Sequence, residues 1–379
     1  MNQRRWLLDR SHLNSLLAAF EKNGFDVVGP SLRDKAITYG NVHSVDDLPE
    51  GWTDEQKPGE YRVSRRDDNA LFGYVVGPHS WKQYLFPSHL SLWKTTRGAD
   101  GKLDIQPGSP DAPKFAFVGV RACEIAAIQI QDRVFGGKYQ DTNYQTRRSR
   151  SLIVAVNCGQ AAETCFCVSM KTGPQVNSGF DIALTELVNR DVSTFVAESC
   201  SEVGVEYLEA LGARLASEEE ISRSAQIVQD TANAITRELD TTDLPEILES
   251  TLNLKTWDEV ATRCLSCANC TLVCPTCFYH SVVETSDLEL QEFEHSREWD
   301  SCFSKDFMQM GGESVRGDTK SQYRQWTTHK LGTWVEQFGT SGCVGCGPCI
   351  SWCPVGIDIT EEVSKLRNEA AGTRRRHGH

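Results

Sequence analysis

A chain of 379 residues is long enough for two or three domains. Its 52 acidic against 39 basic side chains leave a net charge of −13, with both signs spread along the chain. There is no long basic run, which argues against a nucleic-acid-binding protein or a redox sensor acting on nucleic acid, and no apolar run long enough to cross a bilayer.

In chain order, residues 11–22 read as an amphipathic helix with Leu13, Leu16, Leu17 and Phe20 on one face. Residues 61–64 and 71–76 read as strands. Phe115–Val120 is an apolar strand, 124–134 a helix and Leu152–Val156 a second apolar strand. Strand, helix, strand at this spacing is a βαβ unit, which implies two parallel strands. Gly136 and Gly137 read as the C-cap of its helix. A helix at about 181–189 and a strand at 194–197 follow. Residues 218–239 form a long helix with an apolar stripe from Ile221, Ala225, Val228, Ala232, Ile235 and Leu239, opened by a Ser217 and Glu220 capping box. About three heptads is short for a coiled-coil seam, so packing onto its own domain is the favoured reading. Thr256–Arg263 is another helix, with Thr256 and Glu259 as its capping box.

The expected fold class is α+β. An N-terminal α/β-type domain with a short parallel sheet spans 1–215, bridging helices 216–250, and a helical dicluster ferredoxin domain 251–370. A basic tail, 371–379, carries Arg374, Arg375 and Arg376 as a solvated end.

Two cysteine strings carry the chemistry. Cys264, Cys267, Cys270 and Cys274 precede Pro275; Cys343, Cys346, Cys349 and Cys353 precede Pro354. Both read C-x2-C-x2-C-x3-C-P, the run with which bacterial ferredoxins hold 4Fe-4S clusters. Zinc sites take four ligands as two pairs with a longer gap, and fit poorly. Three cysteines at this spacing wrap one corner of a cubane, while the proline extends the fourth away from it. Crossed ligation follows: Cys264, Cys267, Cys270 and Cys353 on one cluster, Cys343, Cys346, Cys349 and Cys274 on the other. Gly342, Gly345 and Gly347 let the second loop approach its sulfides closely. The long interval from Cys274 to Cys343 must hold structure of its own, and helices are expected there.

Cys123 and Cys158 each follow a predicted parallel strand, where ligand sites of such sheets form. The loop from Asn157 brings Cys165 and Cys167 to the same edge. A third iron–sulfur cluster and four unrelated buried thiols are both open readings of this group. Cys200, Cys277 and Cys302 have no evident quartet. Fifteen cysteines mostly at cluster spacing, an odd count, imply a reduced cytoplasmic protein rather than a disulfide framework. Arg4 and Arg5 lack the apolar core of a twin-arginine signal, since Asp9, Arg10 and His12 follow. No Walker-type or dinucleotide glycine loop, nucleophile elbow or zinc-protease helix is present, so no catalytic residue is assigned. His329, Lys330 and Arg324 stand before the second string, as a docking patch for an acidic partner, a means of raising a cluster potential, or a solvated face. Electron carriers without a place for substrate chemistry point to one component of a larger oxidoreductase.

Several stretches combine into a family likeness: Arg121-Ala122-Cys123-Glu124, Asn157-Cys158, Thr164-Cys165-Phe166-Cys167, Cys274-Pro275-Thr276-Cys277, Trp299-Asp300-Ser301-Cys302, His329-Lys330 and residues 342–349. Together they resemble the beta subunit of sulfhydrogenases and of NAD(P)-linked cytoplasmic NiFe-hydrogenases. The pattern is also similar to the corresponding iron–sulfur subunit of anaerobic sulfite reductase. The resemblance implies an electron-transfer subunit in a soluble complex with a flavin- and NAD(P)-binding subunit. For the hydrogenase reading it also implies a NiFe catalytic subunit together with a small iron–sulfur subunit. Tyr279 departs from the pattern, standing where related chains often have a further cysteine.

Overall fold

The computed structural model describes residues 4–108, 112–189 and 193–377, with side chains described as far as residue 372. In chain order the strands are β1 (Trp6–Leu8), β2 (Asp26–Arg33), β3 (Ala36–Asn41), β4 (Trp52–Lys57), β5 (Glu60–Arg65), β6 (His89–Arg97), β7 (Leu103–Pro107), β8 (Phe115–Val120), β9 (Leu152–Val156), β10 (Ile182–Val188), β11 (Ser193–Ser199), β12 (His280–Ser286) and β13 (Glu292–Trp299). Seven of them form one sheet in the order β1-β11-β10-β9-β8-β2-β3. Its centre, β10-β9-β8-β2, is parallel; β11, β1 and β3 complete it antiparallel.

The central strands are apolar on both faces because both are covered. In β9, Leu152, Val154 and Val156 enter a core with Leu13, Leu16, Leu17 and Phe20 of the helix Arg10–Lys22. Ile153 and Ala155 enter the opposite core beside Phe115, Phe117, Ile125 and Ile128. The expected βαβ unit is present, with its helix at Ala122–Phe135 capped by Gly136. Chain direction therefore brings Arg121, after β8, and Asn157, after β9, to one edge of the sheet.

Three expected elements differ. Residues 181–189 hold a strand, not a helix: β10 runs parallel to β9, and a short run buried on both faces carries no period to separate the two states. Residues 71–76 are not a strand. Buried side chains replace the ladder: Glu186 accepts from the backbone N–H of Leu71 and Phe72, Asp54 accepts from Val75, and the Arg121 guanidinium donates to the carbonyls of Phe72 and Tyr74. The long helix ends at Ala234, five residues early, because the chain turns to seat Leu239 in the next core. Its Ser217 and Glu220 capping box is present, and Ser224, Val228 and Thr231 form its buried side.

The interval between the cysteine strings is only half helical. β12 and β13 join β6 and β7 in a four-stranded antiparallel sheet, so this interval and the N-terminal half share a sheet. The helix Thr319–Thr328, a π-helical turn His329–Thr333 and the helix Trp334–Phe338 follow. Thr256–Arg263 is helical as expected, but its cap is not Glu259. The Glu369 carboxylate, from the helix Ile359–His377, accepts from the backbone N–H of Lys255 and Thr256 and from the Thr256 hydroxyl. Backbone of the tail is helical to His377; the side chains of Arg374, Arg375 and Arg376 lie outside the described residues. Among the described residues no helix is long and apolar enough to cross a membrane.

Candidate iron–sulfur centres

Each cysteine string leaves a helix, winds through a loop and enters a four-residue helical turn, Asn269–Leu272 in the first and Pro348–Ser351 in the second. The loops share a backbone. Left-handed residues fall at Ser266 (φ 51°) and Ala268 (φ 65°) in one, and at Gly345 (φ 67°) and Gly347 (φ 95°) in the other. This turns backbone N–H groups toward sulfur. Ser266 donates to Cys264 Sγ and Gly345 to Cys343 Sγ, both at 3.5 Å, and Ile357 donates to Cys353 Sγ at 3.3 Å. Such bonds favour a thiolate, the ligand form of cysteine.

Two cavities lie among these sulfurs. The outer one encloses about 420 Å³ of empty space and is lined by Cys264, Cys267, Cys270 and Cys353, with Phe303, Tyr323 and Trp326. The inner one encloses about 340 Å³ and is lined by Cys343, Cys346 and Cys349 with Cys274, and by Phe166, Val344 and Lys330. Each therefore meets three cysteines of one string and the last of the other. Cys349 lines both, so the cavities adjoin. Among the described residues no three His, Cys, Asp or Glu groups converge closely enough for a single metal ion. Ligands of one zinc ion sit within about 2.3 Å of a common point, whereas a cubane spreads four thiolates over four irons. Four thiols around a mostly apolar void, with N–H donors aimed at sulfur, fit the larger group.

Burial pushes these thiols up, Cys343 to about 11, so they hold protons until an electrophilic group takes them. Cys274 is the exception. Burial raises it too, but the Lys330 ammonium more than offsets that and holds it below the ordinary thiol value. Lys330 Nζ donates to Cys274 Sγ at 3.3 Å, Thr276 Oγ1 at 3.0 Å and the Gly342 carbonyl at 3.3 Å. The π-helical turn aims it inward, a common use of such insertions. His329 and Lys330 are 8% and 4% exposed, so they form neither a docking patch nor a solvated face. Lys82, also 4% exposed, reaches the same region: it donates to the Leu272 carbonyl at 3.2 Å and lies 3.8 Å from the Trp299 ring centroid. Nothing in its sequence neighbourhood marks it.

The four N-terminal cysteines come together. Cys123 opens the helix Ala122–Phe135 and faces Cys346, Cys167 and Cys158; Cys167 faces Cys158 and Cys165. Arg121, fully buried, opposes the effect of burial on Cys158 and leaves its Nε without a partner. This group sits directly against the inner loop. Phe166 N donates to the Gly345 carbonyl at 2.9 Å, and the Thr172 hydroxyl to the Val344 carbonyl at 2.6 Å. A Cβ on Gly345 would lie 2.6 Å from the Phe166 carbonyl, and one on Gly347 2.7 Å from Thr164 Oγ1. These glycines thus serve approach to the N-terminal loop, a reason the spacing alone does not reveal. Ser351 Oγ completes the seat, donating to Gln56 Oε1 at 2.6 Å, while Gln56 Nε2 donates to Asp54 at 2.6 Å. Cys277 and Cys302 are buried beside Tyr279, whose hydroxyl meets His329 Nδ1 at 2.7 Å; Cys200 is exposed elsewhere.

Residues 263–357 match the 4Fe-4S dicluster domain family. The chain is 30% identical over 255 residues to Sulfhydrogenase 2 subunit beta of Pyrococcus furiosus, an alignment covering 67% of this chain and 74% of that protein. No solved structure matches. A dicluster domain inside such a likeness makes this an iron–sulfur, electron-transfer polypeptide of the oxidoreductases. The chain belongs to the sulfhydrogenase beta-subunit family.

Proposed function

We propose that this chain relays electrons within a cytoplasmic, NAD(P)-linked NiFe-hydrogenase complex, connecting a flavin- and NAD(P)-binding subunit with the small iron–sulfur and NiFe catalytic subunits. In this reading Cys264, Cys267, Cys270 and Cys353 hold one 4Fe-4S cluster, and Cys343, Cys346, Cys349 and Cys274 hold a second. Cys123, Cys158, Cys165 and Cys167 hold a third. The observation that carries it is the pair of adjoining cavities, each walled by three cysteines of one string and the last of the other. Supporting the third site is the contact of Cys123 with Cys346, which sets the N-terminal thiols one step from the inner cavity.

A 4Fe-4S cluster supplies one-electron transfer when bound. The chain's own part is to keep water from the cysteines, to fix their thiolates with N–H donors, and to hold three sites in a row. Cys267 is exposed, so the outer cavity is the end of the row nearest the surface. Purification from the native host without oxygen tests the reading. About eight irons per chain are expected for two clusters and about twelve for three. Cys346→Ser should remove about four of them and stop electron flow through the assembled complex. Zinc in place of iron, or flow that survives Cys346→Ser, contradicts the relay. Co-purifying sirohaem without nickel would move the chain to the sulfite reductase reading.

A further inference from the structure

We infer that Lys330 and Lys82 are paired counter-cations of the inner cysteine cage, holding a cluster there at a higher reduction potential than one in the outer cage. This rests on the proposed loading of both cavities. A buried ammonium costs several kcal/mol unless an anion faces it. Among the described residues neither lysine faces a carboxylate; both face Cys274 and Cys277. The two ammoniums also repel each other. Neutral thiols do not offset two buried charges, whereas thiolates around an iron–sulfur cube do, since the cube with its ligands is anionic and gains a further negative charge on reduction.

A fixed positive charge beside that cage therefore stabilises the reduced form more than the oxidised form. The geometry holds both charges in place. Lys330 is tied to Thr276 Oγ1 and the Gly342 carbonyl, and its Nζ lies 5.1 Å from the Trp334 ring centroid. Lys82 is tied to the Leu272 carbonyl and the Trp299 ring. The outer cavity has no such charge: the residues lining it are its cysteines, Leu265, Ala268, Asn269, Phe303, Tyr323, Trp326, Pro354, Val355 and Ile357. Electrons entering either cage thus settle on the inner one. Lys82 comes from the N-terminal half, in the short helix Lys82–Leu85, so one of the two cations depends on how that half seats against the cage.

The test is a redox titration followed by electron paramagnetic resonance on the anaerobically purified full chain. Wild type is compared with Lys330→Met, Lys82→Met and Lys330→Arg, the inner signal being the one lost in Cys346→Ser. In Lys330→Met the distribution of one electron between the cages should move at least tenfold toward the outer one, about 59 mV. Lys82→Met should move it the same way by less, and Lys330→Arg should stay near wild type. An inner potential unmoved in both methionine variants, or a shift of the outer signal instead, overturns the inference. If Lys330→Met loses its inner cluster, Lys82→Met decides by the same criterion. Full iron with unmoved potentials removes only the counter-cations; a wild-type chain lacking the iron removes the loading itself.

Discussion

At the two left-handed positions of the outer loop stand Ser266 and Ala268; at the same positions of the inner loop stand Gly345 and Gly347. The backbones are alike, so cluster spacing alone does not demand glycine. What differs is the neighbour. The inner loop lies against the Thr164 and Phe166 backbone, where no Cβ fits, and beneath two ammoniums. The outer loop faces aromatic side chains on one side and leaves Cys267 and Leu265 exposed on the other. Spacing builds a cage; the surroundings decide whether that cage is an interior store or a surface port.

The contrast breaks most sharply at Gly345. Gly345→Ala adds a left-handed cost of about 1 kcal/mol and an overlap with Phe166 worth about 2 kcal/mol, a loss of about 3 kcal/mol. Thermal unfolding of the loaded chain should show it, together with depletion of the inner electron paramagnetic resonance signal and retention of the outer one. Simultaneous loss of both signals would mean that the two seats are not separate.

The inner seat also carries a pH dependence that the outer one lacks. Burial pushes Asp54 up to about 6 from 3.8, against the hydrogen bonds from Gln56 and Val75. A carboxyl raised in the folded state stabilises it fully below 3.8, and that contribution is lost as pH rises through about 6. Asp54→Asn should flatten the stability profile across this window by on the order of 2 kcal/mol. A profile unchanged between Asp54→Asn and wild type in denaturant titrations would remove Asp54 from the seat.

The smallest effect sharpens the outer side. Ala268→Gly relieves a left-handed alanine and should stabilise the chain by about 1 kcal/mol, with no change in either signal. A destabilisation would show that the Ala268 side chain packs as tightly as the inner glycines do.

Much of this was legible in the chain itself. The eight C-terminal cysteines, their crossing, the βαβ unit and the convergence of Cys123 with Cys158 all follow from spacing and chain direction, which are local or topological properties. β10 was not legible, because residues 182–187 are buried on both faces and show no period. The irregular run at 71–76 was hidden because its backbone partners, Glu186, Asp54 and Arg121, are far away in sequence. Lys82 was hidden for the same reason: its role exists only once the N-terminal half meets Leu272 and Trp299. Lys330 was noticed but its burial was not, since a π-helical turn leaves no mark in the residues that form it.

Exchange of the last cysteine between the two loops underlies every other statement, and one comparison of single substitutions reads it directly. Electron paramagnetic resonance spectra of the reduced, anaerobically purified full chain are recorded for Cys353→Ser, Cys267→Ser and Cys346→Ser. The account predicts that Cys353→Ser perturbs the same signal as Cys267→Ser, although Cys353 belongs to the other string, and leaves the Cys346-dependent signal intact. Cys353→Ser perturbing the Cys346-dependent signal instead would contradict it.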